Sequence, residues 1–500
     1  MNETTTMFMK IRNILLSVCL SCAASGMAQQ TVTLTLDDAI ARARSRSVEA
    51  AVALDELRTA YWQYRTYRAE LLPEVTFEAT VPSYNKKYSL YQNANGDFSF
   101  VRNNYLDIVG TLSLTQNIWA TGGTVSVNTQ LDYLRQLSGD KYNRFMSIPV
   151  ALTLNQPIFA ANTIKWDRRI EPVRYAEAKA KYLTATEEVA MKAITYFFNL
   201  LAARETVDIE RQNLDNATKL LEVARVKRDM GRISGNDLLQ MELNQLDARS
   251  ALTDAESTMK NNMFSLVTLL DFGDGTVIEP VLPDGVPDVE ITYADALDKA
   301  MANNQFSLNI RRRQLQADYE VAKAKGDRRR IDLFAQVGFT GVGNHPRDAY
   351  DRLKDNQVVE IGVKIPILDW GKRGGKVKVA ESNREVTRSR LRQESQQFSQ
   401  DIFILVERFN NQRGQLDIAS RADEIARKRY DTNVETYMIG KISTLDLNDS
   451  QVKKDQSRKE YVQELYYYWY YFYQLRSITL YDYLRHAPLS IDFEKAIKGV

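Results

Sequence analysis

The stretch GRISGNDLLQ at residues 231–240 returns as GKISTLDLND at residues 440–449, a shift of 209 positions. Pro157, in the segment VALTLNQPIFA, and Pro366, in VEIGVKIPILDW, are separated by the same 209 positions. Two landmarks that share one offset indicate that a single structural unit occurs twice in the chain. The fold is therefore predicted to consist of two copies of this unit.

A third pair of segments shows that the copies differ in length. LTLDDAI at residues 34–40 matches ITYADAL at residues 291–297 with an offset of 257 positions. The larger offset implies an insertion of about 48 residues in the first copy, between Pro73 and Pro149.

Residues 173–279 and 367–487 contain no proline. Proline breaks the interior of a helix, and both stretches are rich in strong helix formers such as Ala, Leu, Glu, Lys, Arg and Gln. Apolar residues also recur at the three- and four-residue steps of a coiled-coil seam, for example at Leu214, Ala217, Leu221 and Ala224.

Each stretch is predicted to form a helical hairpin. The first helix runs over residues 163–229, turns at 231–235 and returns through 271. The second runs from about 372 to 437, turns at Gly440 and returns to about 484. At 1.5 Å per residue, the long helices span roughly 100 Å, a length that suits a conduit across the periplasm.

Apolar and polar residues alternate between the helical stretches, at residues 72–81, 331–340 and 359–365. Strands of about ten residues with this pattern are typical of a transmembrane β-barrel. A soluble sandwich with one wet face gives the same alternation, and the long helices favour the barrel. The insertion adds a predicted hairpin near residues 110–133, so the first copy has four candidate strands and the second has two. The sequence leaves open whether this hairpin joins the barrel wall or forms an external lid.

The predicted organisation begins with a signal peptide at residues 1–28. The first repeat covers 29–290, and the second repeat covers 291–485, before a C-terminal segment at 486–500. In the first repeat we expect a helix at 37–71, strands within 72–160, a helix pair at 163–271 and a linker at 272–290. In the second we expect a helix at 293–326, strands within 331–369 and a helix pair at 372–484.

The N-terminus has the features of an export signal. Lys10 and Arg12 precede an apolar run at residues 14–20, and Gly26 and Ala28 fit a signal-peptidase site. The mature chain is predicted to start at the next residue, although Cys22 is an alternative site for lipidation. Both cysteines of the chain lie in this segment, so cleavage after Ala28 would leave no thiol for a disulfide or metal site.

Charge and composition argue against several classes of function. The net charge is +2 and no long basic run occurs, so nucleic-acid binding is not expected. His345 and His486 are the only histidines, too few for a zinc site. No cofactor, metal or catalytic residue is predicted, and the chain is not expected to be an enzyme.

Two groups of aromatic residues allow two interpretations each. Trp119, Trp166 and Trp370 stand at predicted strand ends, where they suit a membrane interface or packing between strands and helices. The run of aromatics at residues 466–473 covers every side of one helix. Such a helix is normally buried among its neighbours, and ligand stacking inside a tunnel is the alternative.

These repeated motifs resemble those of the TolC-like outer-membrane efflux channels, and the likeness covers nearly the whole mature chain. The segments PILDWG at 366–371 and YMIGKIS at 437–443 resemble the family's strand-end and helix-tip motifs. The resemblance implies an α+β membrane protein, in which three chains form one transmembrane β-barrel that continues as a periplasmic α-helical coiled-coil barrel. It implies a homotrimer in outer-membrane lipid, with a periplasmic adaptor protein and an inner-membrane pump as partners. It also implies that residues 486–500 form an equatorial segment around the tunnel.

The resemblance also implies roles for residues at the helical tips. Asp446 and Asp449 match acidic residues that form rings at the tunnel entrance. Three copies of both would favour cations and bind divalent ions, whereas an ordinary solvated helix start is the alternative. Tyr437 matches a tyrosine that bonds to an acid on the other helix pair, and Asp237 is the candidate acceptor.

The basic partner of that latch has no counterpart, because Ile442 stands at its position, and Arg232 and Lys441 are the candidate substitutes. The glycines of the tight turns are expected to be left-handed, and the turns are the expected docking surface for the adaptor. The residues assigned to these turns are Gly231, Ser234, Gly440 and Ser443.

The resulting prediction is a passive exit duct of a tripartite efflux or type I secretion system in the outer membrane. An exported coiled-coil protein with a structural or adhesive role is the alternative. The substrate, whether drug, metal or protein, is left open.

Overall fold

The structure is a computed structural model that describes residues 31–138, 141–273, 275–283, 285–351, 353–362, 368–438, 441–442 and 444–498. The side chains of residues 101, 356–362, 437–438 and 444–445 are outside this description. The signal peptide predicted at residues 1–28 and the alternative lipidation site at Cys22 lie outside the described residues.

Helices account for most of the chain. They are α1 Leu36–Arg46, α2 Val48–Ala69, α3 Thr163–Asp229, α4 Gly235–Leu269, α5 Tyr293–Asn303, α6 Gln305–Arg329, α7 Asp348–Asp351, α8 Lys372–Met438, α9 Thr444–Thr479 and α10 Phe493–Lys498. Among the described residues, no helix is both long enough and apolar enough to cross a bilayer.

The strands lie between these helices. They are β1 Thr31–Leu34, β2 Glu74–Gln92, β3 Phe98–Asn117, β4 Thr124–Gln136, β5 Asn143–Ile158, β6 Val277–Pro280, β7 Ile331–Gly343, β8 Leu353–Gly362, β9 Tyr481–Asp482 and β10 Ala487–Pro488.

The long helices of the two copies have equivalent boundaries. Helices α3 and α8 each contain 67 residues, and the offset of 209 carries Thr163 onto Lys372 and Asp229 onto Met438. The same offset carries the start of α4 at Gly235 onto the start of α9. The repeat seen in the sequence is therefore also a repeat of backbone structure.

The single helices expected at 37–71 and 293–326 are each two helices, and this part of the prediction is corrected. Ser47 (φ −66°, ψ 149°) and Asn304 (φ −72°, ψ 149°) adopt extended backbone between the paired helices. Side chains of Ser and Asn can form hydrogen bonds that compete with those of the helix. The Ala50 N–H donates to Ser47 Oγ at 3.1 Å, whereas Asn304 Nδ2 donates to the carbonyl of Ile478 at 2.8 Å.

Six strands form one sheet in the order β2-β3-β4-β5-β7-β8, and the neighbouring strands are antiparallel. The added hairpin belongs to β3 and β4, in the middle of the order, so it is part of the sheet rather than a separate lid. Strands β2 and β3 are 19 and 20 residues long, about twice the predicted length. Their register shifts between Thr80 and Ser83, where Pro82 has no N–H to donate to the ladder.

The chain divides into two compact units. One unit comprises residues 57–179 and 305–397 and contains the six-stranded sheet. The other comprises residues up to 56, 180–304 and 398 onwards. In this second unit an apolar core joins α1, α3, α4, α8 and α9, with Phe197, Phe409 and Tyr468 among its largest buried side chains.

Candidate functional site at the helical turns

The first turn joins α3 to α4 by a left-handed glycine. Gly231 has a φ of 71°, and its N–H donates to the Arg228 carbonyl at 2.8 Å. The Arg232 N–H donates to the Lys227 carbonyl, also at 2.8 Å. These two bonds form a Schellman motif, which satisfies carbonyl groups that the end of the helix would otherwise leave unpaired.

Ser234 and Asp237 then start α4 with a reciprocal capping box. The Asp237 N–H donates to Ser234 Oγ at 3.2 Å, and the Ser234 N–H donates to Asp237 Oδ2 at 2.9 Å. The Ser234 hydroxyl also donates to this carboxylate, at 2.8 Å. The backbone and hydroxyl donors of Ser234 hold the pKa of Asp237 below its ordinary value. Asp237, the predicted latch acceptor, is thus engaged in capping its own helix.

The second turn repeats part of this geometry. The Lys441 N–H donates to the Thr436 carbonyl at 3.1 Å, the bond that corresponds by the 209 offset to the one between Arg232 and Lys227. Gly440, Ser443 and the side chain of Tyr437 lie outside the described residues. The latch between Tyr437 and Asp237 therefore stays a prediction.

Asp446 and Asp449, the predicted gate residues, are exposed near the start of α9. Asp449 Oδ2 accepts a hydrogen bond from Arg429 Nη2 of α8 at 2.7 Å. Sequence reasoning missed Arg429, because a single arginine on a charged helix resembles a solvated residue. This ion pair places a positive group directly beside one of the two predicted gate carboxylates.

A polar cleft of about 480 Å³ lies between α3, α4 and α9, close to these turns. Amide side chains line it, and Asn216 Nδ2 donates to Gln451 Oε1 at 3.5 Å. Gln451 in turn donates to Asn213. Burial raises the pKa of Asp455 at the edge of this cleft. Polar side chains thus occupy positions where a coiled-coil seam would normally be apolar.

Arg458 links three long helices beside the cleft. From α9 it donates to both carboxylate oxygens of Glu205 on α3, at 2.8 and 3.1 Å. It also donates to Asp423 Oδ2 on α8 at 3.4 Å. A bidentate arginine–carboxylate pair fixes orientation as well as distance. Ion pairs therefore connect a helix of the first copy with the helices of the second copy. No sequence motif indicated this connection.

The aromatic run of α9 packs into the core, in agreement with the first of its two interpretations. Tyr468 and Phe472 are each 1% exposed, and the Tyr468 hydroxyl donates to the carbonyl of Pro287. Burial raises the pKa of Tyr468 to about 12. Tyr467 remains partly exposed and stacks on Tyr471 with the ring centroids 5.8 Å apart.

Within the described parts of the chain, no group of three or more His, Cys, Asp or Glu residues could hold a metal ion. The strand-end tryptophans differ in exposure: Trp119 is 61% and Trp370 is 89% exposed. Trp166 lies 5.9 Å from the ring of Tyr319 on α6. Packing explains Trp166, whereas the other two rings present apolar surface at the ends of strands.

Comparison with known proteins gives a consistent result. A family model described as outer membrane efflux protein matches residues 39–271 and 304–479. No curated protein sequence matches the chain.

Solved structures of outer-membrane channels have the same fold. The CmeC outer membrane channel of Campylobacter jejuni is similar with a TM-score of 0.65 at 16% identity, over 93% of this chain and 88% of that one. VceC of Vibrio cholerae has a TM-score of 0.60 at 13% identity, over 91% and 97% of the two chains. The open MtrE channel of Neisseria gonorrhoeae has a TM-score of 0.57 at 15% identity, over 89% and 88%.

Proposed function

Because the chain belongs to the outer membrane efflux protein family, we propose that it is the passive exit duct of a tripartite efflux or type I secretion system. The family consists of outer-membrane proteins that act in efflux, so this chain is an outer-membrane channel protein and not an enzyme. The proposal adds the assembly, the partners and the gate.

The assembly proposed is a homotrimer that shares one barrel. A single six-stranded sheet has two edge strands, β2 and β8, and an open edge cannot stay unpaired in the hydrocarbon of a bilayer. Pairing the β8 edge of one chain with the β2 edge of the next would close the sheet into a barrel. The two edge strands are the observation that carries the proposal, because a single chain embedded in lipid would leave both edges without a partner.

The gate proposed is a double ring of carboxylates, Asp446 and Asp449, at the helical turns. Both side chains are exposed in one chain, and three chains would bring six carboxylates to one opening. Such a ring attracts cations and binds divalent ions. Docking of a periplasmic adaptor, with its inner-membrane pump, would separate the turns and open the duct. The proposed docking surface consists of the two turn segments, which contain Gly231 and Ser234 in the first copy and, by the repeat of the sequence, Gly440 and Ser443 in the second.

The gate can be tested by current recordings in planar bilayers. The Asp446→Ala, Asp449→Ala double variant is expected to weaken block by added Ca²⁺ or Mg²⁺ about tenfold or more, because the ring loses its charge. The control is Asp254→Ala with Glu222→Ala, which removes two exposed acids from α4 and α3. Equal block in wild type and in the gate variant would refute the gate while leaving the channel in place.

A further inference from the structure

A basic groove with a volume of about 820 Å³ runs between α6 and the first turns of α8. Seven basic and two acidic side chains line it, which leaves a surplus of five positive charges. Alanines and Val379 provide apolar surface between the charged groups. The groove therefore combines a strongly positive potential with an apolar floor.

Two of the basic side chains are paired with carboxylates. Arg313 lies 2.6 Å from Glu394 and Arg384 lies 3.2 Å from Glu385. Within the described residues, the other five have no carboxylate oxygen within 4.0 Å. These five are Lys323, Arg328, Arg373, Lys376 and Arg390. Clustered like charges repel one another, so an anion bound in the groove would reduce the repulsion among these side chains.

The groove lies where the helices meet the sheet. Helix α6 ends at Arg329, and a single residue separates it from the start of β7. Arg373, in the first turn of α8, donates to the carbonyl of Arg328 at 3.3 Å. At Gly326, a Cβ would come within 2.6 Å of the Ala161 backbone nitrogen, so α6 packs closely on the segment that follows β5. These contacts fix the basic groups at one end of the strands.

The neighbouring surface has the character of a membrane boundary. Phe159, two residues before Ala161, is 66% exposed, and Trp370, just before α8, is 89% exposed. Exposed aromatic residues beside an apolar band mark the level of lipid headgroups. Basic side chains at that level contact the anionic headgroups of lipids.

We propose that this basic groove binds the phosphate of an anionic phospholipid in the periplasmic leaflet of the outer membrane. The exposed rings of Phe159 and Trp370 favour a lipid over a free anion, because acyl chains would cover these rings while the phosphate contacts Arg328, Arg373 and Lys376. The inference rests on the outer-membrane location of the chain and not on the gate or the pump.

The test is a titration of the detergent-purified full-length protein with fluorescent phosphatidylglycerol and, in parallel, phosphatidylcholine. Replacing Arg328, Arg373 and Lys376 with glutamine is expected to weaken phosphatidylglycerol binding about tenfold or more. Phosphatidylcholine binding should not change. A matched variant, Lys227→Gln with Arg228→Gln and Lys453→Gln, removes three exposed charges far along the helices and should bind both lipids as wild type does.

A second variant, Lys323→Gln with Lys376→Gln, leaves the contact between Arg373 and Arg328 intact and should weaken phosphatidylglycerol binding to a smaller extent. Unchanged affinity in both variants would overturn the proposal. Displacement of the lipid by equimolar inorganic phosphate would also overturn it, because the groove would then be a site for free anions. Channel currents are recorded separately, so a loss of conductance cannot be mistaken for a loss of lipid binding.

Discussion

Helices α3 and α8 have the same length and equivalent boundaries, and the helices that follow them, α4 and α9, begin at equivalent positions. Different side chains nevertheless occupy several equivalent positions in the two helix pairs. In the first copy, Leu220 and Val267 are apolar. The offset of 209 places Arg429 and Arg476 at the same positions in the second copy. The same backbone arrangement therefore supports two sets of interactions, and at these two positions only the second copy carries a charge.

The largest difference is expected at Arg476. It is 8% exposed and lies 3.0 Å from Asp482 and 3.3 Å from Glu187, which Arg44 also contacts. Arg476→Ala would leave buried carboxylates without this partner and should lower the free energy of unfolding by about 3–5 kcal/mol. Val267→Ala, at the equivalent buried position of the first copy, should cost about 2 kcal/mol.

Thermal unfolding of the purified variants measures both changes. Arg476→Met keeps most of the side-chain volume and separates charge from packing, and it should be nearly as destabilising as Arg476→Ala. If neither variant is less stable than Val267→Ala, the buried charges do not distinguish the two copies.

The first turn depends on the backbone of Gly231. Its φ of 71° is left-handed and no atom lies within 4 Å of an added Cβ, so Gly231→Ala should cost about 1–2 kcal/mol through backbone strain alone. Gly414, in the interior of α8, also has open space around it. Gly414→Ala should stabilise that helix by about 0.5–1 kcal/mol. Hydrogen exchange of the neighbouring amides should be faster than in wild type for Gly231→Ala and slower for Gly414→Ala. A change in the same direction in both variants would contradict the turn geometry.

The capping box makes the first turn sensitive to acid. Because the pKa of Asp237 is lowered in the folded protein, its stabilising effect is present above the ordinary carboxyl pKa of about 3.9 and is lost as the pH falls through the lower folded-state value. Amide exchange in α4 should therefore differ between wild type and Asp237→Asn near neutral pH and converge in strong acid. Asp254→Asn controls for the removal of a charge, and a constant difference for Asp237→Asn at all pH values would contradict the cap.

The smallest effect is expected from Arg429, which is 49% exposed on its side chain. In the proposed gate its guanidinium would compete with a bound cation for Asp449, so Arg429→Gln should strengthen divalent block of the channel about threefold. Leu220→Gln, at the equivalent position of the first copy, is the matched control and should leave block unchanged. Weaker block in Arg429→Gln would show that the arginine positions the carboxylate rather than competing for it.

The sequence was informative about backbone and less so about side-chain pairing. The proline-free stretches and Gly231 located the long helices and the turn between α3 and α4, because both are local features of the sequence. The breaks at Ser47 and Asn304 escaped prediction, since neither position has a proline or glycine. Asn304 is held by the Ile478 carbonyl, 174 residues away. The roles of Arg458 and Arg476 were not predicted for the same reason, because these side chains reach their carboxylate partners only after the helices pack.

The central claim is that three copies of this chain assemble around one conducting pore. Detergent-purified protein would be separated by mass, and the fraction with the mass of three chains would be added to a planar bilayer. Stepwise insertion of long-lived channels by that fraction, and none by a fraction with the mass of one chain, is the predicted result. Steps from the single-chain fraction, or silence from both, would contradict it.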